Sequence, residues 1–192
     1  MLEVLDNNCC RVLGIDPGNS TLGLAILDID FTTKKISLVD AATIDAGRLL
    51  VSNHHYFRYK SERAYKQKVL SERIKLVLYD YAPTYVGVET PFMYVRPQAF
   101  EALVELFLLI GKTVEEYDVT TPIVKITPRN AKKAVGLLKA EDAKDKDAVR
   151  KALLQLDIVN KEMIHQLDEH SVDAIAVGYS VCINLLKGVV YV

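Results

Sequence analysis

Residues 11–27 read RVLGIDPGNSTLGLAIL. Val12, Leu13 and Ile15 make an apolar run of the kind that forms a buried strand, and Pro17-Gly18 breaks it. A second apolar stretch, Leu22 to Leu27, begins almost at once, so the two are expected to pair as antiparallel neighbours. Asp16 sits at the end of the first run. An ionised carboxylate at the rim of a buried sheet is costly unless a metal ion, another cation or backbone N–H groups offset it.

Working outward, Lys35 to Ile44 reads as a third strand joined by a short link, which extends an antiparallel meander, and Asp45 to His55 reads as a loop. From Tyr56 to Tyr81 the period becomes helical, with Tyr65, Val69, Ile74, Val77 and Tyr81 among the apolar positions and Pro83 as the stop. Tyr85 to Val88 is a short strand that ends at Glu89. Pro97 to Tyr117 is a helix apolar nearly all round, suited to a core or to a partner surface. Pro122 to Ile126 is a strand, Thr127-Pro128 opens a short helix that ends at Gly136, Lys146 to Leu156 is helical, and a last helix covers about Asp168 to Leu186. The order predicts an α/β fold: a mixed five-stranded sheet, antiparallel over strands one to three and parallel beyond, flanked by helices.

The chain has 192 residues, half of them hydrophobic and about a quarter charged, so a single domain over 1–192 is expected. Cys9, Cys10 and Cys182 have no C-x-x-C spacing and leave one thiol over, which argues against a zinc site or a disulfide framework and for a cytoplasmic setting. The opening MLEVLDNNCC lacks a basic n-region and a long apolar core, so no signal peptide is expected. No run of about 18 apolar residues exists, so no membrane partner is expected.

Three acids stand at element ends: Asp16, Glu89 in YVGVETPF, and Asp173 in DEHSVDAIAVGYS. If strands one and four are parallel neighbours, Asp16 and Glu89 share the sheet edge where sites form in open α/β sheets. His170 and Asp173, three apart, share one helix face and can converge on that pair. Taken singly, each has an ordinary role as turn residue, strand end or helix-start charge. Together they abut apolar stretches and would repel one another, a conflict that a divalent cation resolves. Oxygen ligands favour Mg2+ or Mn2+, and two such ions about 4 Å apart are the standard clamp for phosphodiester hydrolysis.

GIDPGNSTLG, VGVETPF and HSVDAIAVG resemble the signature segments of RuvC-type Holliday junction resolvases. The resemblance implies an RNase H-like fold. It implies a metal-dependent endodeoxyribonuclease that resolves four-way or other branched DNA, with Asp16, Glu89, His170 and Asp173 as the catalytic and metal-binding set. It also implies a homodimer, a geometry that paired nicks on a two-fold junction call for. Phe92 matches an aromatic that contacts the junction centre. Lys132, and Lys146 or its rival Lys144, match basic residues near the scissile phosphate.

The formal net charge of −1 hides an uneven distribution. Phe57 to Lys75 holds seven basic and two acidic residues, interleaved with Tyr56, Phe57, Tyr59 and Tyr65, and Pro122 to Lys151, which includes Arg129, holds nine and four. Such stretches fit phosphate contacts with base stacking, or else solvated helix faces. Arg96 beside the Phe92 loop favours a phosphate-facing loop. An actin- or sugar-kinase-like ATP-binding protein is a rival, since GIDPGNST also resembles that superfamily's first phosphate loop. However, only nine glycines are present and no later Gly-rich loop follows. A non-catalytic junction binder would gain nothing from the acids, whereas a nuclease of the same fold acting on RNA or RNA–DNA hybrids stays open. Bacterial, phage-infected and organellar settings all fit.

Overall fold

Gly14 and Gly23 govern how closely the last helix approaches the sheet. A Cβ at Gly14 would lie 2.2 Å from the Ala174 carbonyl oxygen, and one at Gly23 would lie 2.1 Å from that of His170. Only glycine permits such a backbone-to-backbone approach. The computed structural model describes residues 8–50, 61–92, 97–138 and 147–189, without the side chains of 49 and 50.

The strands β1 (Cys9–Pro17), β2 (Thr21–Asp30), β3 (Lys35–Asp45), β4 (Tyr85–Glu89), β5 (Ile123–Ile126) and β6 (Ile158–Val159) form one sheet in the order β5-β4-β1-β2-β3-β6. β1 to β3 are an antiparallel meander, and β4 and β5 continue in parallel from β1. The five-stranded expectation is corrected by β6, which pairs in parallel with Ile36 and Ser37. Two residues are too few to show a period of two, so no sequence pattern announced this strand. The register between β2 and β3 shifts at Ile26/Leu27, where Val39 is the extra residue on β3.

Side chains alternate along β1. Cys10 and Val12 face one core, and Leu13 and Ile15 face the other. α2 (Glu62–Tyr81) and α3 (Pro97–Tyr117) cover the second core through Leu70, Ile74, Leu78, Leu106, Ile110 and Val114. α4 (Pro128–Ala134), α5 (Ala148–Gln155) and α6 (Glu169–Leu186) cover the first, and α6 is buried along most of its length. Of the expected loop at 45–55, residues 46–50 form α1 (Ala46–Leu50), because the Asp45 carboxylate accepts from the N–H groups of Gly47 and Arg48 and caps a turn. Residues 51–55 lie outside the described residues. A 3₁₀ segment, Lys161–Gln166, leads into α6.

α2 begins at its Ser61 cap and ends at Ala82, whose φ of 46° is left-handed, since Pro83 bars the residue before it from helix. The all-round apolar reading of α3 is only half right. Leu106, Ile110 and Val114 are buried, while Leu108 is 66% exposed. Lys75 pairs with Glu116 at 2.8 Å, and Arg63 pairs with Glu105 at 2.7 Å and Glu101 at 3.6 Å. These bridges stitch α2 to α3. Within α2, Lys66 pairs with Glu62 at 2.7 Å.

Candidate active site

The parallel pairing of β1 with β4 runs from Val12↔Tyr85 to Ile15↔Val88, so the next residue of each strand, Asp16 and Glu89, emerges at the same edge. α6 is brought there by its cap. Asp168 accepts from the Ser171 N–H at 2.9 Å, and the Thr43 hydroxyl on β3 donates to the same carboxylate oxygen at 2.5 Å. With the glycine contacts beneath it, the first turn of α6 is pinned over β1 and β2. His170 Nδ1 then lies 3.0 Å from Asp16 Oδ2, and His170 Nε2 lies 3.0 Å from Thr21 Oγ1.

The electrostatics describe one crowded acidic centre. Burial, then the Asp16 and Asp173 charges, push Glu89 up to about 8, against a slight opposing pull from Lys132. Burial and the Asp16 and Glu169 charges push Asp173 up to about 6, with Lys132 and His170 opposing. His170 is raised, chiefly by its hydrogen bond to Asp16. Two raised carboxylates in one cleft, each pushed up by burial and by the Asp16 charge, make this edge the candidate site.

A cavity of about 120 Å³ is lined by Glu89, Asp173, Lys132, Pro128, Ala131, Val149 and Ala176. A second, of about 200 Å³, shares Glu89 and Pro128 and adds Pro17, Thr90, Pro91, Leu103 and Phe92. Among the described residues no three His, Cys, Asp or Glu side chains stand close enough to hold one ion directly. Repulsion between buried like charges favours this open spacing. The donor set itself, carboxylate oxygens with one imidazole, is chemically suited to a hard divalent cation.

All four catalytic candidates, Asp16, Glu89, His170 and Asp173, meet at this edge, coupled through charge or hydrogen bonds. Lys132 on α4 reaches their field, Arg129 is exposed one turn earlier, and Phe92 is 57% exposed at the mouth of the second cavity. Arg96, Lys144 and Lys146 lie outside the described residues, as do Tyr56, Phe57 and Tyr59.

In the first basic tract, Arg63, Lys66 and Lys75 are matched by acids, and Tyr65 is buried in the core. For these residues the charge has partners within α2 and α3. Sequence reasoning missed Thr21 and Thr43. Neither has a signature, since each acts through a partner well over a hundred positions away.

Removing the Glu89 charge has a signed consequence. Glu89 binds its proton more tightly folded than unfolded, so its stabilising contribution is complete below its ordinary value of 4.5 and lost as pH rises through about 8. Metal-free Glu89→Gln is expected to melt with the wild type near pH 4 to 5. Near pH 9 it should be more stable by on the order of 1–2 kcal/mol, as urea unfolding at both pH values would show.

The family model for crossover junction endodeoxyribonuclease RuvC matches residues 12–182. No curated protein sequence matches the chain. Among solved structures, Thermus thermophilus RuvC in complex with a Holliday junction substrate is similar at 18% identity and TM-score 0.65, over 93% of this chain and 96% of that one. The yeast mitochondrial Holliday junction resolvase Ydc2 is similar at 14% identity and TM-score 0.61, over 93% and 81%. A fowlpox virus resolvase in complex with Holliday junction DNA is similar at 17% identity and TM-score 0.54, over 92% and 99%. At these identities the structures speak to the fold, and the family match carries the assignment: this chain belongs to the RuvC family of crossover junction endodeoxyribonucleases.

Proposed function

We propose that this chain cuts four-way DNA junctions at paired, symmetric positions, as a homodimer that uses two Mg2+ or Mn2+ ions per site. The observation that carries this is the meeting of Asp16, Glu89 and Asp173 at one sheet edge, two of them held well above the ordinary carboxylate range. Asp16, Glu89, Asp173 and His170 would hold the ions, which when bound activate a water and stabilise the leaving oxygen.

The chain's own groups do the rest. The Lys132 ammonium faces the acids across the cavity and offers a scissile phosphate a cation where the carboxylates alone would repel it. Arg129 extends the positive flank along α4. Exposed Phe92, at the mouth of the adjacent cavity, is placed to lie against an unstacked base. Two copies related by a two-fold axis match the symmetry of a four-way junction and supply the two cuts. Proteins of this fold from Thermus thermophilus and fowlpox virus are known in complex with Holliday junction DNA, which supports the substrate.

The test is incubation with a synthetic four-way junction, a matched linear duplex and an RNA–DNA hybrid, with and without Mg2+. Paired nicks on the junction, dependent on the metal, are expected. Cutting of the hybrid alone would move the substrate to RNA, and no metal-dependent cutting of any of the three would defeat the proposal.

A further inference from the structure

The geometry points to Thr21 as a positioning residue that presents Nδ1 of His170, and not Nε2, to the acidic centre. It rests on the reading of that centre as the site of cleavage. The two ring nitrogens are occupied from opposite sides, Nδ1 by Asp16 and Nε2 by the Thr21 hydroxyl, both at 3.0 Å. Thr21 is held there by the β1–β2 turn, in which the Gly18 N–H donates to the Thr21 carbonyl at 2.9 Å. A Cβ on Gly18 would lie 2.7 Å from Thr21 Oγ1, so the absent side chain at 18 leaves the hydroxyl its place.

A hydroxyl suits this position for a reason that a purely donating or accepting group would not meet. A carboxylate only accepts, so while Asp16 holds the ring, Nδ1 carries the proton and Nε2 accepts from Thr21 O–H. When Nδ1 instead gives its lone pair to a cation, the proton sits on Nε2 and the same hydroxyl accepts it. Thr21 thus serves both tautomers and the ring need not turn. Such partners of a ligating imidazole fix its tautomer and orientation, and their loss typically lowers metal affinity or activity ten- to a hundredfold.

The test compares Thr21→Val, Thr21→Ala and Thr21→Ser. In metal-free protein, at a pH where the imidazole is neutral, long-range 15N–1H spectra report whether Nε2 of His170 accepts a hydrogen bond. The Val and Ala variants are expected to move that signal toward an unbonded nitrogen, while Ser leaves it near the wild-type position. With Mg2+ and a four-way junction, Val and Ala are expected to lose roughly ten- to a hundredfold in kcat at unchanged KM for the junction, and Ser to restore it. An Nε2 signal unmoved in both Val and Ala, or a Ser variant as impaired as they are, overturns the assignment. Wild-type protein that cuts nothing would instead defeat the proposed function, and the spectra would still decide whether Thr21 holds the ring.

Discussion

Asp16→Asn is expected to lower junction cleavage by at least about a thousandfold while leaving junction binding within roughly a factor of two. Asparagine keeps the size of the side chain and an oxygen that can accept from His170 Nδ1, so the first turn of α6 keeps its anchor. What disappears is the charge. Asp16 is the largest charge acting on both Glu89 and Asp173, so its neutralisation also lets both carboxyls titrate closer to their ordinary range. Gel-shift binding in Ca2+, single-turnover cleavage in Mg2+ and carboxyl 13C titration together separate these effects. An Asp16→Asn enzyme that cuts within tenfold of wild type would remove Asp16 from the catalytic set.

Gly14→Ala is expected to destabilise the protein by about 3 kcal/mol or more, at the upper end of what overpacking a core costs. The added methyl would meet the Ala174 carbonyl oxygen at 2.2 Å and the Gly178 nitrogen at 2.7 Å, and neither is the free end of a flexible side chain. Relief requires α6 to lift from β1, which moves His170 and Asp173 off the sheet edge as well. Gly111→Ala is the matched control. Its Cβ would have nothing within 4 Å, and replacing a glycine inside α3 should add up to about 1 kcal/mol. Urea denaturation of the two variants should therefore displace the midpoint in opposite directions. A Gly14→Ala protein as stable as wild type would show that the helix does not bear on β1.

The central parts of this arrangement were legible in the sequence because they are local. An apolar run that stops at Asp16 before Pro17-Gly18 is a strand ending in a carboxylate, and Asp168 ahead of His170 and Asp173 marks both the start of α6 and the face it turns to the sheet. What escaped depends on distance or brevity. β6 is too short to have a pattern. The basic stretch ending at Lys75 suggested a path for DNA because Glu101, Glu105 and Glu116, which answer Arg63 and Lys75, arrive only with the next long helix. Counting charges along the chain cannot see a partner that folding brings from elsewhere.

The irregularity at Val39 bears on how the molecule keeps to itself. β3 is eleven residues long, yet β6 pairs only with Ile36 and Ser37, so from Leu38 onward its outer hydrogen-bonding margin has no strand beside it among the described residues. Such a border invites another chain to zip on. The extra residue breaks the even spacing that zipping requires. The fold thereby discourages fibre-like stacking at its open flank without needing a full seventh strand to close it.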